Sequence, residues 1–153
     1  MELYVKSFHE LTLDELYDIL KLRIQVFVVE QNCPYPDADD RDQSALHVFL
    51  KDEEGIQAYL RIMDRGVESE YVSIGRVISV KRRCGLGTKI LTAGMEAAVR
   101  RFHAEAIYLE AQTYACGLYE KAGFRRCSPE FLLDGIPHVK MIKNVSSDYA
   151  AKE

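Results

Sequence analysis

The segment from residue 77 to residue 99, VISVKRRCGLGTKILTAGMEAAV, limits the possible folds more than any other part of the chain. A β-branched apolar run meets a turn that holds Gly85 and Gly87, and apolar residues at helical spacing follow it. This order predicts a strand, a tight turn and then a helix. A helix N-terminus carries unpaired backbone N–H groups, and glycines leave them accessible, so such a turn can bind a phosphate group. The segment alone does not separate a phosphate site from a tight turn that binds nothing.

The spacing of the glycines excludes two common nucleotide-binding motifs. The nucleotide P-loop requires a longer interval between its glycines and a Gly-Lys-Ser/Thr ending, and this turn has neither. The dinucleotide fingerprint requires a third glycine three residues after Gly87, where the chain has Ile90. A phosphate held at this turn therefore belongs to another class of ligand.

Four strands and one helix are predicted before the turn. Residues 2–8 alternate as a first strand, and Thr12 with Glu15 forms a capping box that begins a helix ending near Phe27 or Glu30. The apolar face of that helix is predicted to comprise Leu13, Leu16, Leu20, Ile24 and Phe27. The remaining segments are assigned as a loop over residues 31–43, a hairpin over 46–52 and 56–64, and a strand over 71–80 that is buried on both faces after Arg76.

Two helices and three strands are predicted after the turn. Residues 88–102 form an amphipathic helix in which Gly94 lets the helix lie close to the sheet, and residues 106–112 form a buried strand. The order strand, helix, strand implies a right-handed parallel crossover. A shorter helix over residues 113–122 ends at Gly123, as a glycine C-cap would make it. Residues 124–135 and 136–144 are assigned as the last two strands, before a frayed tail over 146–153.

Composition removes several classes of protein. At 153 residues the chain is long enough for one domain with a core, and its net charge of -4 argues against a nucleic-acid binder. The N-terminus has no secretory signal and no apolar run approaches the length that spans a membrane. The cysteines contain no CxxC pair, which disfavours a metal or redox site and indicates free thiols in the cytoplasm. They are Cys33, Cys84, Cys116 and Cys127.

Several segments in a fixed order resemble a known family. RxxGxG at residues 82–87 is followed, one strand and one helix later, by LYEKAGF at 118–124. This combination resembles the GNAT superfamily of acetyl-CoA-dependent N-acetyltransferases. Further segments are similar to its ElaA-like branch, and together they cover most of residues 5–143: FVVEQNCPYPDADD, GRVIS, LEAQ and DGIPHVKM. The chain departs from the superfamily pattern at Gln112, where Asn is usual, and has no Glu on the strand before the turn to serve as a base.

The resemblance implies a fold and a coenzyme site. The fold would be a single α/β domain over residues 1–145, with a mixed, largely antiparallel sheet and helices on both faces. A central parallel strand pair would splay apart where acetyl-CoA binds. Strand backbone would hold the pantetheine arm and turn amides the pyrophosphate, although the basic side chains of the turn are equally explained as a solvated surface. The implied coenzyme-binding residues are Val77, Ile78, Ser79, Arg82, Arg83, Cys84, Gly85, Leu86, Gly87, Thr88, Gln112 and Tyr119.

The resemblance also implies roles in catalysis. Tyr119 matches the position of the general acid, and a phenol near pKa 10 can stabilise a thiolate of pKa roughly 8.5 by a hydrogen bond. A core tyrosine is the structural alternative. An amine acceptor of pKa about 10.4 needs a base. The candidate bases are His47, Glu30, Glu110 and His138, of which Glu110 and His47 are favoured, and the candidate acceptor-binding residues are Phe27, Glu30, His47 and His138.

Other functions stay open at the level of sequence. The aspartates at positions 37, 39, 40 and 42 would favour a cationic acceptor or would form a solvated acidic loop, and they lack the pattern of an EF-hand. The alternatives to an N-acetyltransferase are a CoA-binding module without turnover and an enzyme like the acyl-homoserine lactone synthases. The acceptor is expected to be a small-molecule or peptide amine, with no metal, and the protein a monomer or homodimer.

Overall fold

A computed structural model describes residues 1–81 and 84–145. Eight strands and three α-helices lie in these residues, together with a π-helical segment, Ile24–Glu30, that continues the first helix. The strands are β1 (Glu2–Ser7), β2 (Leu46–Asp52), β3 (Gly55–Met63), β4 (Val72–Ser79), β5 (Ala106–Gln112), β6 (Arg125–Arg126), β7 (Phe131–Leu133) and β8 (Ile136–Asn144). The helices are α1 (Leu13–Arg23), α2 (Leu86–Phe102) and α3 (Cys116–Lys121).

The strands form one mixed sheet that opens at its centre. Their order is β1-β2-β3-β4-β5-β8-β6, with β7 also paired to β8. The pair β4–β5 is parallel and the others are antiparallel. Parallel pairing between β4 and β5 joins only Val72 to Ile107 and Ser73 to Tyr108. Beyond these pairs the two strands, both described throughout, continue to Ser79 and Gln112 without pairing to each other. The predicted splayed strand pair is confirmed.

Helices cover both faces of the sheet, as predicted. On β2, Val48 belongs to the larger core cluster, which also contains Leu91 and Met95 of α2. The next residue, Phe49, belongs to the smaller cluster, which contains Ile19 of α1. Successive side chains of a strand point to opposite faces, so α1 and α2 lie on opposite sides.

Helix α2 lies close to the sheet at Gly94, as predicted. A Cβ atom at this position would come within 2.7 Å of Cδ2 of Leu60 on β3, which is shorter than any normal carbon contact. The helix begins after Gly85, whose φ of 78° lies in the left-handed region that glycine tolerates without strain. Gly94 therefore allows the helix to approach the sheet, and Gly85 provides the left-handed backbone before the helix.

The predicted apolar face of α1 is correct only in part, since Leu16, Leu20 and Phe27 are half-buried. Leu13 is 86% exposed and Ile24 is also exposed, whereas Glu15, Ile19 and Arg23 are buried. Ion pairs explain this burial, because Lys6 lies 2.9 Å from Glu15 and Arg23 pairs with aspartates beyond the helix. A helix face can be buried by compensated charge as well as by apolar residues.

The end of β4 and the strand predicted over residues 124–135 also differ from expectation. Val80 is 46% exposed rather than buried, because β4 has separated from β5 at the central opening although it stays hydrogen-bonded to β3. The predicted strand at 124–135 is instead two short strands, β6 and β7, on either side of Pro129. Between them, Oγ of Ser128 accepts the N–H of Lys140 at 2.9 Å, in place of a strand carbonyl. The tail over 146–153 lies outside the described residues.

No helix within the described ranges is long and apolar enough to cross a membrane.

Candidate functional site

A cleft of about 200 Å³ occupies the opening between β4 and β5. Strands β4 and β5 form its floor, α3 closes one end, and the π-helical segment with the following loop forms a wall. The turn between β7 and β8 completes the rim. Six of the residues singled out from the sequence line it: Phe27, Val77, Glu110, Gln112, Tyr119 and His138.

A bulge in β4 shapes this opening. Arg76 has a φ of 53°, and the register with β3 shifts between its pairs Tyr59–Ile78 and Arg61–Gly75. Beyond the bulge the faces exchange, since Ile74 packs in the core cluster beneath α2 while Ile78 packs in the cluster beneath α1. A bulge bends its strand and increases its twist. It therefore accounts for the divergence of β4 from β5.

Tyr119 lies at the end of the cleft on α3. Its side chain is 7% exposed and packs edge-on against Phe124, with ring centroids 6.1 Å apart. Burial raises the pKa of the phenol above its ordinary value. Its hydroxyl has no hydrogen-bond partner in residues 1–81 and 84–145. The group is thus a neutral O–H donor that borders the cleft and is available to a ligand.

Three polar side chains of β5 line the same cleft, those of Tyr108, Glu110 and Gln112. The hydroxyl of Tyr108 donates a 2.9 Å hydrogen bond to Oε1 of Glu110. Burial is the largest cause of the raised pKa of Tyr108, and this bond to the carboxylate raises it further. Further along the strand, the side-chain amide of Gln112 pairs with that of Gln31 at 3.3 Å in both directions. Glu110 is therefore an oriented carboxylate, while the Gln112 side chain is engaged across the cleft.

His138 lies on β8 beside these residues. It is 8% exposed, and its register partner across the strand is Gln112. Nδ1 donates a 2.7 Å hydrogen bond to the carbonyl oxygen of Ile136, and the Phe131 ring lies 6.1 Å from the imidazole. The side chain is therefore fixed in one orientation at the cleft.

His47 was a candidate base, and the structure contradicts this. The imidazole is fully buried and does not line the cleft. Its Nε2 donates to the carbonyl oxygen of Asp42 at 2.9 Å, and its Nδ1 lies 2.8 Å from the hydroxyl of Tyr59. Burial lowers its pKa. A ring with both nitrogens engaged in the core neither binds an acceptor nor takes its proton.

Glu30, a candidate acceptor-binding residue, is exposed and does not line the cleft. The wall is formed instead by Phe27, about one helical turn before Glu30, and by Gln31, the residue after it. The π-helical geometry of this segment turns the intervening side chain away from the cleft. The structure thus does not support a role for Glu30 in the cleft.

Three of the four aspartates of the loop are held in ion pairs rather than solvated. They pair with three arginines, and two of the arginines, Arg23 and Arg61, are almost fully buried. The nitrogen–oxygen distances in these ion pairs range from 2.6 Å to 3.4 Å. Only Asp40, of the four aspartates in the predicted run, is exposed and makes no ion pair with described residues. The paired carboxylates are Asp37, Asp39 and Asp42, and the third arginine is Arg76.

The glycine turn lies at the N-terminus of α2, a helix of 17 residues. The amides of its first turn lack intrahelical partners, as in any helix. A Cβ at Gly85 would have nothing within 4 Å, whereas one at Gly87 would lie 3.3 Å from Leu118 of α3. The approach to the turn is therefore open at Gly85, which fits a pyrophosphate. The side chains of Arg82 and Arg83 lie outside the described residues, and Ile78, Ser79, Cys84, Leu86 and Thr88 do not line the cleft itself.

Among the residues that the structure describes, no group of three or more His, Cys, Asp or Glu side chains is arranged to hold a metal ion. The polar groups that line the cleft include phenols, carboxylates, two guanidinium groups, an imidazole and amides. These groups can position a substrate and move protons.

Comparison with known proteins places this site in a family. The family model described as an acetyltransferase (GNAT) domain matches residues 19–145. A UPF0039 protein of Schizosaccharomyces pombe is 39% identical over 145 residues, which cover 92% of this chain and 95% of the relative. The crystal structure of Escherichia coli ElaA superposes with a TM-score of 0.87 at 33% identity, covering 94% of this chain and 99% of that one.

A second solved structure, an acyl-CoA N-acyltransferase from Pseudomonas aeruginosa, superposes with a TM-score of 0.86 at 36% identity. It covers 94% of this chain and 99% of its own. The splayed strand pair, the glycine turn before α2 and the tyrosine of α3 thus occur in a chain whose sequence and fold both match the same proteins. The protein belongs to the GNAT acetyltransferase superfamily and, within it, to the ElaA-like family.

Proposed function

We propose that the protein transfers an acetyl group from acetyl-CoA to a primary amine by direct attack, with both substrates bound at once. The unpaired edges of β4 and β5 offer backbone groups to a pantetheine arm, at Val77 and its neighbours. The open turn at Gly85 and the amides of α2 offer a site for the pyrophosphate. Acetyl-CoA supplies an activated acyl group, and the residues of the chain orient it and manage the protons.

The observation that carries this proposal is the Tyr119 hydroxyl. The Tyr119 side chain is buried and lines the cleft, and its hydroxyl has no hydrogen-bond partner in the described part of the chain. Because burial raises its pKa, complete proton transfer from the phenol to a departing thiolate is unfavourable early in the reaction. A hydrogen bond that strengthens as negative charge develops on sulfur is favourable at every stage. We therefore assign Tyr119 as the hydrogen-bonding acid for the leaving group.

The acceptor site lies at the other side of the opening. Phe27 and Gln31 form its wall, and the carboxylate of Glu110 faces it. A primary amine of pKa about 10.4 is protonated at neutral pH, and making it neutral costs on the order of 4 to 5 kcal/mol. An ammonium group is attracted by a carboxylate and repelled by unpaired arginines. Since the arginines beside the cleft are paired with aspartates, the carboxylate of Glu110 adds negative charge that favours a cationic acceptor.

The test compares Tyr119→Phe with Tyr114→Phe, a matched change at the rim of the same cleft where the ring is 74% exposed. Removing the first hydroxyl is expected to lower kcat by about 10²- to 10³-fold while CoA binding, measured by calorimetry, stays within twofold. The second change is expected to leave kcat nearly unaltered. A full rate in Tyr119→Phe would contradict the assignment. CoA binding by the wild type without acyl transfer to any amine would instead indicate a binding module.

A further inference from the structure

We propose that Nε2 of His138 is the general base that removes a proton from the acceptor amine, an inference that rests on the proposed acetyl transfer. Nδ1 of the ring lies 2.7 Å from the carbonyl oxygen of Ile136. A carbonyl oxygen only accepts hydrogen bonds, so Nδ1 carries the hydrogen and the lone pair of the neutral ring is on Nε2. The backbone thus fixes the tautomer that presents a basic nitrogen.

The side chain of His138 is mostly buried and lines the cleft, and its Nε2 has no partner in the described part of the chain. The His138 side chain is 8% exposed. No hydrogen bond to Nε2 is formed within the described residues. The ring is held by Phe131 on one side and by its strand neighbours on the other. An imidazole nitrogen that has a lone pair and no protein partner at the wall of a cleft can accept a hydrogen bond from a ligand.

Register places the base next to the carboxylate. His138 pairs with Gln112, and Glu110 pairs with Lys140, so His138 and Glu110 are diagonal neighbours on one face of the β5–β8 pair. The Cα atoms of such diagonal neighbours lie about 7 to 8 Å apart. An amine can therefore bind between the two side chains. The other titratable groups around the cleft are Cys33, Tyr35, Arg61, Glu68, Arg76, Tyr108, Tyr114, Tyr119 and Asp134.

Glu110 and His138 have different roles toward the acceptor amine. Oε1 of Glu110 already accepts the Tyr108 hydroxyl, so this oxygen is engaged and the carboxylate is held in place. In model peptides an imidazole is also a stronger base than a carboxylate by about two pKa units. We therefore assign the binding of the ammonium group to Glu110 and the removal of its proton to His138.

The protons and bonds balance with these residues alone. The ammonium gives one proton to Nε2 of His138, which later releases it to solvent. The amine lone pair then forms the C–N bond, and the electrons of the C–S bond leave on sulfur. The sulfur takes a proton from Tyr119, and the phenol regains one that the nitrogen loses as the amide forms. The net products are an amide, a thiol and one proton in solution.

The experiment uses His138→Gln and two acceptors, one primary amine of ordinary basicity and one fluorinated amine that is already neutral at the assay pH. For the basic amine, kcat/KM is expected to fall about 100-fold or more. For the neutral amine it is expected to fall less than tenfold, because no base is needed before attack. Added imidazole should restore part of the lost rate. His9→Gln, an exposed histidine outside the cleft, is the control.

Equal losses with both amines, or no loss with either, would overturn the assignment of the base. His138→Asn is the second variant, since its amide can keep the hydrogen bond to Ile136 if His138→Gln does not fold. A wild type that releases no thiol with any amine would refute the proposed acetyl transfer itself, and with it this inference. A wild type that turns over while both His138 variants keep full activity would refute the base alone.

Discussion

Nη1 of Arg23 lies 2.6 Å from Oδ1 of Asp42, in an ion pair from which solvent is almost excluded. The same carboxylate oxygen lies 3.0 Å from Nη1 of Arg61, so two arginines from different elements meet on one aspartate. The pairs join the end of α1, the loop before β2 and the middle of β3. They also form the layer directly behind the acceptor side of the cleft, where Arg61 is a lining residue.

Removing one member of this network is expected to destabilise the fold strongly. Arg23→Met leaves Asp37 and Asp42 buried with fewer partners, and breaking a buried pair in this way costs about 3 to 5 kcal/mol. The free energy of unfolding in urea measures the effect.

The control for this variant is Arg126→Ala. Arg126 and Glu120 are about half exposed and lie 3.4 Å apart, so this change is expected to alter the free energy of unfolding by less than about 1 kcal/mol. Similar losses in the two variants would show that the buried network has no special contribution.

A helix substitution that normally stabilises is expected to destabilise at Gly94. Alanine gains about 1 kcal/mol over glycine in a helix interior. Here its Cβ would lie 2.7 Å from Cδ2 and 2.9 Å from Cδ1 of Leu60, a fully buried side chain with no space to move into. Gly94→Ala is therefore expected to lose about 1 to 3 kcal/mol in net stability. Thermal and urea unfolding both report it.

Gly117→Ala provides the comparison, because a Cβ there meets nothing within 4 Å and the residue is helical. We expect it to stabilise the protein by a few tenths to about 1 kcal/mol. If both alanine variants were stabilised, the close approach of α2 to the sheet would not be a constraint.

The stability of the fold is expected to decrease below neutral pH through His47. Burial lowers the pKa of this imidazole in the folded protein, so the unfolded chain binds the proton more tightly. The contribution of His47 is complete above the ordinary histidine value of about 6.5 and is lost as the pH falls below it. Urea unfolding at pH 7, 6 and 5 measures the slope, which should be shallower in His47→Gln. An unchanged slope would contradict the assignment.

A second loss is expected at lower pH. Burial alone would raise the pKa of Asp39, but its bonds to Arg61 prevail and lower it to about 2, below its ordinary value of 3.8. The stabilisation from this carboxylate is complete above about pH 4 and disappears as the pH falls toward 2. In Asp39→Asn this second transition should be weaker, while the loss near neutral pH should remain.

The centre of the fold was accessible from sequence, because local signals agree there. The apolar spacing of α2, the buried run of β5 and Gly123 after α3 all depend on residues close together in the chain. The face of α1 was not accessible for the opposite reason. The partners that make it possible to bury Arg23 are Asp37 and Asp42, which lie 14 and 19 residues further along the chain.

The two strand histidines show a similar limit within the site. His47 and His138 are alike in local sequence context, and periodicity does not say what each will face. Register decides it, since His47 lies opposite Arg61 over the buried charge network and His138 lies opposite Gln112 at the cleft. The pairing of distant strands thus determined which histidine is available for chemistry.

The most direct test of the account is a titration with acetyl-CoA followed by a free-thiol assay across a panel of primary amines. We expect acetyl-CoA to bind to the wild type and thiol release to depend on an amine, with the acetylated amine recovered in equal amount. Binding without thiol release on any amine, or no binding of acetyl-CoA, would contradict the proposal that this cleft catalyses N-acetyl transfer.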